Sequence, residues 1–197
     1  MTVNLKSEKN YGLIGSVLMV VGGFLGIIPY IGAFLGAVSL IGEVLILLSL
    51  KGIGDKLGDG RPFRYYLYSV ISGIAGAIIA VVFMAIGAVS IPAFVDEADT
   101  ISTIGIAFLG LGILILLAAA VIGIYYAIKT WRVMYELTGV EEFNKTATWL
   151  LWGAVLAIVV VGLVLLLVAA VYQILAFTNL PEELEERAGA EEFNPIV

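Results

Sequence analysis

Long apolar runs separated by short polar breaks pattern this chain, and the breaks place its elements. From Tyr11 to Leu50 a single charged side chain, Glu43, interrupts the apolar positions. Pro29 lies inside that stretch and cannot continue a helical hydrogen-bond ladder from within. The pattern therefore predicts spans over 11–28 and 31–50, joined by a tight hairpin. Residues 51–64 (KGIGDKLGDGRPFR) read as a polar loop. A third span over 65–90 opens with Tyr65, Tyr66 and Tyr68 and closes at Ile91-Pro92. Residues 94–102 (FVDEADTIS) form an acidic connection. The fourth span, 103–128, continues as helix to about 137, with Arg132 and Glu136 as an i,i+4 pair and Gly139 as its stop. At about 1.5 Å per residue that helix would be about 50 Å long, beyond a hydrocarbon core about 30 Å thick. After a short loop comes a fifth span over 149–175. The tail beyond Phe177 is expected to be a surface helix begun by Pro181 or a disordered end.

Several of these runs reach the roughly 20 apolar residues that a bilayer crossing requires. The composition agrees: 61% of residues are hydrophobic, against about 45–50% in a soluble domain. The expected fold is all-α, a polytopic transmembrane helix bundle of about five spans. It is expected to form one transmembrane domain over 1–177, followed by an acidic tail over 178–197. The apolar run after Lys6 and Lys9 is too long for a cleavable signal. Small residues spaced four apart, Gly22 with Gly26, Gly32 with Gly36, and Ser69 with Gly73 and Ala77, mark faces where helices approach closely in lipid. Gly42 should likewise admit a neighbouring helix beside Glu43. The echo of Ile28-Pro29 in Ile91-Pro92 suggests a repeated two-helix unit.

Charge orients the bundle. With five spans, nine of the ten Lys and Arg fall on the side of the N-terminus and Arg187 falls on the other. The positive-inside rule then places the N-terminus in the cytoplasm and the C-terminus outside. It sends Asp96, Glu97 and Asp99 to the outer face. Glu43 lies about 16 Å into its helix, near the bilayer midplane.

The chain contains no Cys and no His, which removes disulfides, thiolate nucleophiles, imidazole bases and the usual zinc, haem and iron–sulfur ligation. No Ser–His, Cys–His or paired intramembrane Asp arrangement is present, so no enzyme activity is expected. The net charge of −6 argues against nucleic acid. Charged oxygen donors suit hard cations, so the expected ligand is a divalent ion, Ca²⁺ or Mg²⁺, with no organic cofactor. Asp55 and Asp59 could share a turn, but Lys51, Lys56 and Arg61 are close enough to neutralise them. The candidate metal site is Asp96, Glu97 and Asp99. The candidate pore residues are those three and Glu43.

Three stretches carry a resemblance: YGLIGSVLMVVGGFLG at the start, SLIGEVLILLSLKGIGDKLGDGRPFRYYLYSVI in the middle, and YELTGVEEFNKTATWLLWGAVLAI later. Through them the chain resembles a family of small, mainly archaeal, multi-spanning membrane proteins catalogued as a domain of unknown function. The resemblance implies a multi-pass fold and no particular chemistry.

Three functions fit these residues. The first is an oligomeric cation channel, divalent-permeable, with an acidic outer mouth and Glu43 repeated around a symmetric homo-oligomer. Its partners would be the lipid bilayer, further copies of the chain and inorganic cations. The second is a cation- or proton-coupled secondary transporter, favoured by the internal repeat. The third is a structural membrane protein in which Glu43 is protonated and hydrogen-bonded to Ser39 or a backbone carbonyl.

Overall fold

A computed structural model describes residues 2–25, 32–90, 98–157 and 160–185. Six helices follow in chain order: α1 (Lys6–Leu25), α2 (Gly32–Leu57), α3 (Arg61–Ser90), α4 (Ala98–Thr138), α5 (Glu141–Val155) and α6 (Val160–Asn179). A short strand, β1 (Thr2–Asn4), precedes them and another, β2 (Glu183–Glu185), follows. The all-α polytopic bundle holds, and among the described residues four helices are long and apolar enough to cross a membrane: residues 34–57, 61–90, 104–138 and 161–179. The chain divides into two compact units. One comprises Met1–Phe63 and Thr130–Val197, the other Arg64–Lys129.

In the first unit, α1 and α2 pack as an antiparallel hairpin through glycines. A methyl group on Gly42 would lie 2.6 Å from the Gly15 carbonyl oxygen and 2.7 Å from the Met19 nitrogen. One on Gly22 would lie 2.6 Å from the Ser39 nitrogen. Lipid is as apolar as leucine, so backbone proximity and packing hold such helices together in place of the hydrophobic effect. Gly36, by contrast, has open space beside it. Pro29 and Gly26 lie outside the described residues.

The polar stretch 51–64 is not a loop. α2 continues to Leu57 because Leu50 and Ile53 extend its buried stripe, both fully covered. Gly58, at φ 72°, ends the helix in a left-handed conformation that glycine adopts without strain. Asp59 accepts a hydrogen bond from the Arg61 backbone N–H at 2.8 Å, and Pro62 sits in the first turn of α3, where its missing N–H costs nothing.

The larger correction concerns the fifth span. Residues 149–175 are two helices, not one: α5 ends at Val155 and α6 begins at Val160. They form an antiparallel hairpin. Phe143 meets Phe177 with ring centroids 5.3 Å apart, the Lys145 ammonium lies 5.9 Å from the Tyr172 ring centroid, and Gly153 packs on Leu166. Gly162 abuts the Leu156 carbonyl so closely that no side chain fits there. At the reversal, the Leu156 and Ala157 N–H groups donate to the Trp152 and Ala154 carbonyls, so the turn keeps its backbone bonds.

This hairpin changes the topology. An extra reversal returns the end of α6 to the side from which α1 departs. β1 and β2 then pair antiparallel, Thr2 opposite Glu185 and Asn4 opposite Glu183. The Leu5 N–H donates to the Glu182 carbonyl at 2.7 Å, while Leu5 and Leu180 are fully buried. The expectation of ends on opposite faces is therefore wrong. So is the expectation of a helix after Pro181, because pairing with β1 draws that stretch into a strand. Residues 186–197 lie outside the described part.

The core of this unit gathers at the same end. The Trp131 and Phe143 rings stack at 5.8 Å, and Phe177 meets both edge-on. Arg61 pairs with Asp59 at 2.7 Å and reaches Glu136 at 3.5 Å.

The second unit is the hairpin of α3 and α4. Ser69 Oγ donates to the Gly123 carbonyl at 2.7 Å and Ser72 Oγ to the Ala119 carbonyl at 3.0 Å. Gly76 abuts Ala119, and Gly87 approaches Gly105 and Leu109. The close-packing ridge thus runs through Ser69, Ser72, Gly76 and Gly87, while Gly73 of the expected ridge faces open space. α4 is the long helix foreseen, stopped by Gly139 at φ 70°.

Two predictions follow from these contacts. Gly42→Leu should overpack the α1–α2 seam and cost about 1–3 kcal/mol, read as a lowered unfolding midpoint in detergent. Thr2→Cys and Glu185→Cys, introduced together in this cysteine-free chain, should oxidise to a disulfide, and each introduced alone should take up impermeant maleimide from the same face of sealed vesicles. Labelling from opposite faces would contradict the pairing of the ends.

Candidate functional site

Glu43 belongs to the first unit, eleven residues after the start of α2. At this level the residues of α2 that meet α1 include Ser39, Gly42 and Ile46, so Glu43 stands on the flank of that seam, one residue round from Gly42. It is half-buried and has a partner within the chain. A carboxylate at such a depth costs roughly 2.5–3.5 kcal/mol on insertion scales, so its exposed part requires water, a further protein surface or a bound positive charge.

Two other polar groups lie at this level. Gln173 on α6 donates from Nε2 to Ser16 Oγ on α1 at 3.0 Å, and both residues are buried. Ser16 follows Gly15, which packs against Gly42, so this bond and Glu43 occupy neighbouring turns of the bundle. The sequence signal of Gln173 was an amide six residues before Asn179, inside an otherwise apolar helix.

A second carboxylate, Glu8, was not singled out from the sequence. It is buried, with its Oε1 2.7 Å from Lys56 Nζ. Lys56 Nζ also donates to the Asn4 carbonyl at 2.7 Å, and Ser49 Oγ donates to the Glu8 carbonyl at 2.6 Å. Gly52 makes room for this side chain, since a methyl group there would lie 2.7 Å from Glu8 Cγ. Glu8 Oε2 is buried without a hydrogen-bond partner among the described residues. The cluster pins β1, α1 and the last turns of α2 together. The available sequence signal was one acid beside Lys6 and Lys9, with Ser49, Gly52 and Lys56 on successive turns of α2.

Asp96 and Glu97 lie outside the described residues. Asp99 falls in the first turn of α4, in the second unit. Among the described residues no three acidic side chains converge as a metal site. Asp59 is committed to capping α3 and to Arg61, while Asp55 is exposed, so that pair forms no cation site.

The model of the family described as "Protein of unknown function (DUF996)" matches residues 38–171. The chain is also similar to an uncharacterized protein of Methanocaldococcus jannaschii, MJ1644. The two are 32% identical over 187 residues, covering 93% of this chain and 97% of the relative. No solved structure matches the chain.

The Glu8–Lys56 cluster generates a test. Lys56→Met should destabilise the protein by about 1–3 kcal/mol, between the values for exposed and buried ion pairs, because it strands a buried carboxylate. Adding Glu8→Gln should recover part of that loss in the same unfolding assay.

Proposed function

The chain belongs to the DUF996 family, multi-pass membrane proteins of unknown function, and from that premise we propose that it transports cations as a homo-oligomer with Glu43 lining the pathway. The observation that carries this reading is Glu43, an acidic residue only partly covered about 16 Å into an apolar helix. Exposure to hydrocarbon is unfavourable for that group. A symmetric assembly would turn several copies toward one water-filled axis, and acidic rings select cations. Carboxylates crowded at such an axis cannot all ionise unless cations sit among them. Their oxygen donors favour divalent ions such as Ca²⁺ or Mg²⁺. Asp96, Glu97 and Asp99 would supply the outer mouth.

This reading sets the orientation. The stretches of sequence between the paired helices, 26–31, 91–97 and 156–159, contain no Lys or Arg. Nine of the ten Lys and Arg precede residue 186 and fall at the opposite ends of the hairpins. The positive-inside rule then assigns both paired strands to the cytoplasm and Asp96 and Glu97 to the outside. It assigns no catalytic residue.

A coupled secondary transporter is the second reading. It is favoured by the succession of three hairpins, α1–α2, α3–α4 and α5–α6, and by the Ser16–Gln173 bond in the bundle interior.

Protein reconstituted in planar bilayers should pass Ca²⁺ or Mg²⁺ in preference to Cl⁻, and Glu43→Gln should reduce that current by roughly tenfold or more with assembly intact. Unchanged current in Glu43→Gln would return the residue to a structural role. Saturable, counter-ion-dependent uptake without unitary steps would select the transporter. Silence in both assays would remove transport altogether.

A further inference from the structure

The start of α3 and the stretch of α4 from Tyr125 to Lys129 bring four tyrosines and one lysine together within the second unit. The Lys129 ammonium lies 4.5 Å from the Tyr125 ring centroid and 5.5 Å from that of Tyr65. Tyr126 completes the group, 5.4 Å from Tyr125, 6.2 Å from Tyr65 and 5.3 Å from Tyr68. Ring faces attract the ammonium but carry no net charge to cancel it.

That lack of compensation separates Lys129 from Lys6, Lys56 and Lys145. Lys56 has Glu8, Lys6 has Glu182, and Lys145, which also lies over a tyrosine, has Glu141 at 3.6 Å. Among the described residues Lys129 forms no ion pair, and its charge is left open to an outside anion.

Depth and surroundings identify the anion. Lys129 follows Ile104, the start of the apolar part of α4, by 25 residues, or about 38 Å, which places it past the roughly 30 Å hydrocarbon core and among the headgroups. Tyr68 is 47% and Tyr125 53% exposed, so this aromatic surface is open to the headgroup layer. Below them, Ile71, Ile74, Val121 and Ile122 are exposed on the same hairpin. Ser69 and Ser72 spend their hydroxyls on α4 carbonyls. A headgroup phosphate at Lys129 would therefore have an apolar surface beneath it for acyl chains.

We infer that the tyrosine-lined end of the α3–α4 hairpin binds the headgroup of an anionic phospholipid, with Lys129 as the counter-charge. A zwitterionic headgroup brings its own cation to the site and completes no such pair. The inference is independent of the transport reading, since it uses no residue of that pathway.

Native mass spectrometry of the full chain, delipidated from nanodiscs, tests it. From discs of mixed phosphatidylglycerol and phosphatidylcholine, the wild type should retain phosphatidylglycerol. Lys129→Gln should lower that retention by roughly fivefold or more, the scale expected for one interfacial cation. Lys129→Arg should keep it, and Lys145→Gln should leave it unchanged. Equal retention by wild type and Lys129→Gln would overturn the proposal, as would equal retention of the two lipids, which an aromatic belt without headgroup recognition would give. Displacement of the lipid by millimolar inorganic phosphate would identify a free-anion site and also overturn it. Unfolding midpoints in phosphatidylcholine alone should match across the variants, which separates loss of lipid from loss of fold.

Discussion

Close approach of backbone to backbone is the constraint on which this structure depends. In hydrocarbon, one apolar helix gains little from water exclusion by packing on another, so contact area and short-range attraction must hold the fold. The chain meets this with glycine at the crossing points. Gly15 and Gly42 bring α1 against α2, Gly76 and Gly87 bring α3 against α4, and Gly153 and Gly162 close α5 on α6. Each contact removes a side chain from the one place where it would separate two helices. The leucines and isoleucines are left to face lipid, and many of them are exposed along these helices.

A different logic governs the end where the chain begins and finishes. There the helices continue beyond the length that a bilayer requires, and aromatic rings, ion pairs and a strand pairing take over. Trp131, Phe143 and Phe177 form a buried cluster, with Leu5 and Leu180 also fully covered. Lys56 joins Glu8 to the Asn4 carbonyl. This end resembles the core of a small soluble domain, and water contributes to its stability in the ordinary way. Polar groups deeper in the bundle are fewer, and the buried ones are matched: Ser16 with Gln173, Ser69 with the Gly123 carbonyl, Ser72 with the Ala119 carbonyl. Glu43 also has a partner within the chain, and as a residue it is only partly covered.

Membership in a family without an assigned activity leaves function to rest on the physical reading of such groups. Glu43 was legible from sequence because a single acid in a long apolar run is conspicuous and costly. Glu8 was not legible, because an acid between two lysines near a chain end looks like ordinary solvated surface. Its burial depends on Ser49, Gly52 and Lys56 of α2, which are more than forty residues away in the chain. The role of Gln173 was not legible either, since its partner lies 157 residues earlier.

By itself the sequence determined the medium, the helical class and most of the boundaries. Hydropathy over some twenty residues reports the free energy of leaving water, and it does so locally. Gly139 and the length of α4 were readable for the same reason: helix stops are local events. What the tertiary structure decided is the reversal between α5 and α6. Nothing in AVLAIVVVG marks a turn by polarity, because an apolar turn beside apolar neighbours needs no polar residue. It needs room for the returning chain, which Gly162 provides against Leu156, and a packed partner surface along the hairpin. That one reversal returns the end of α6 to the side from which α1 departs. It also brings β2 to β1, a pairing between residues at opposite ends of the sequence that no local pattern encodes.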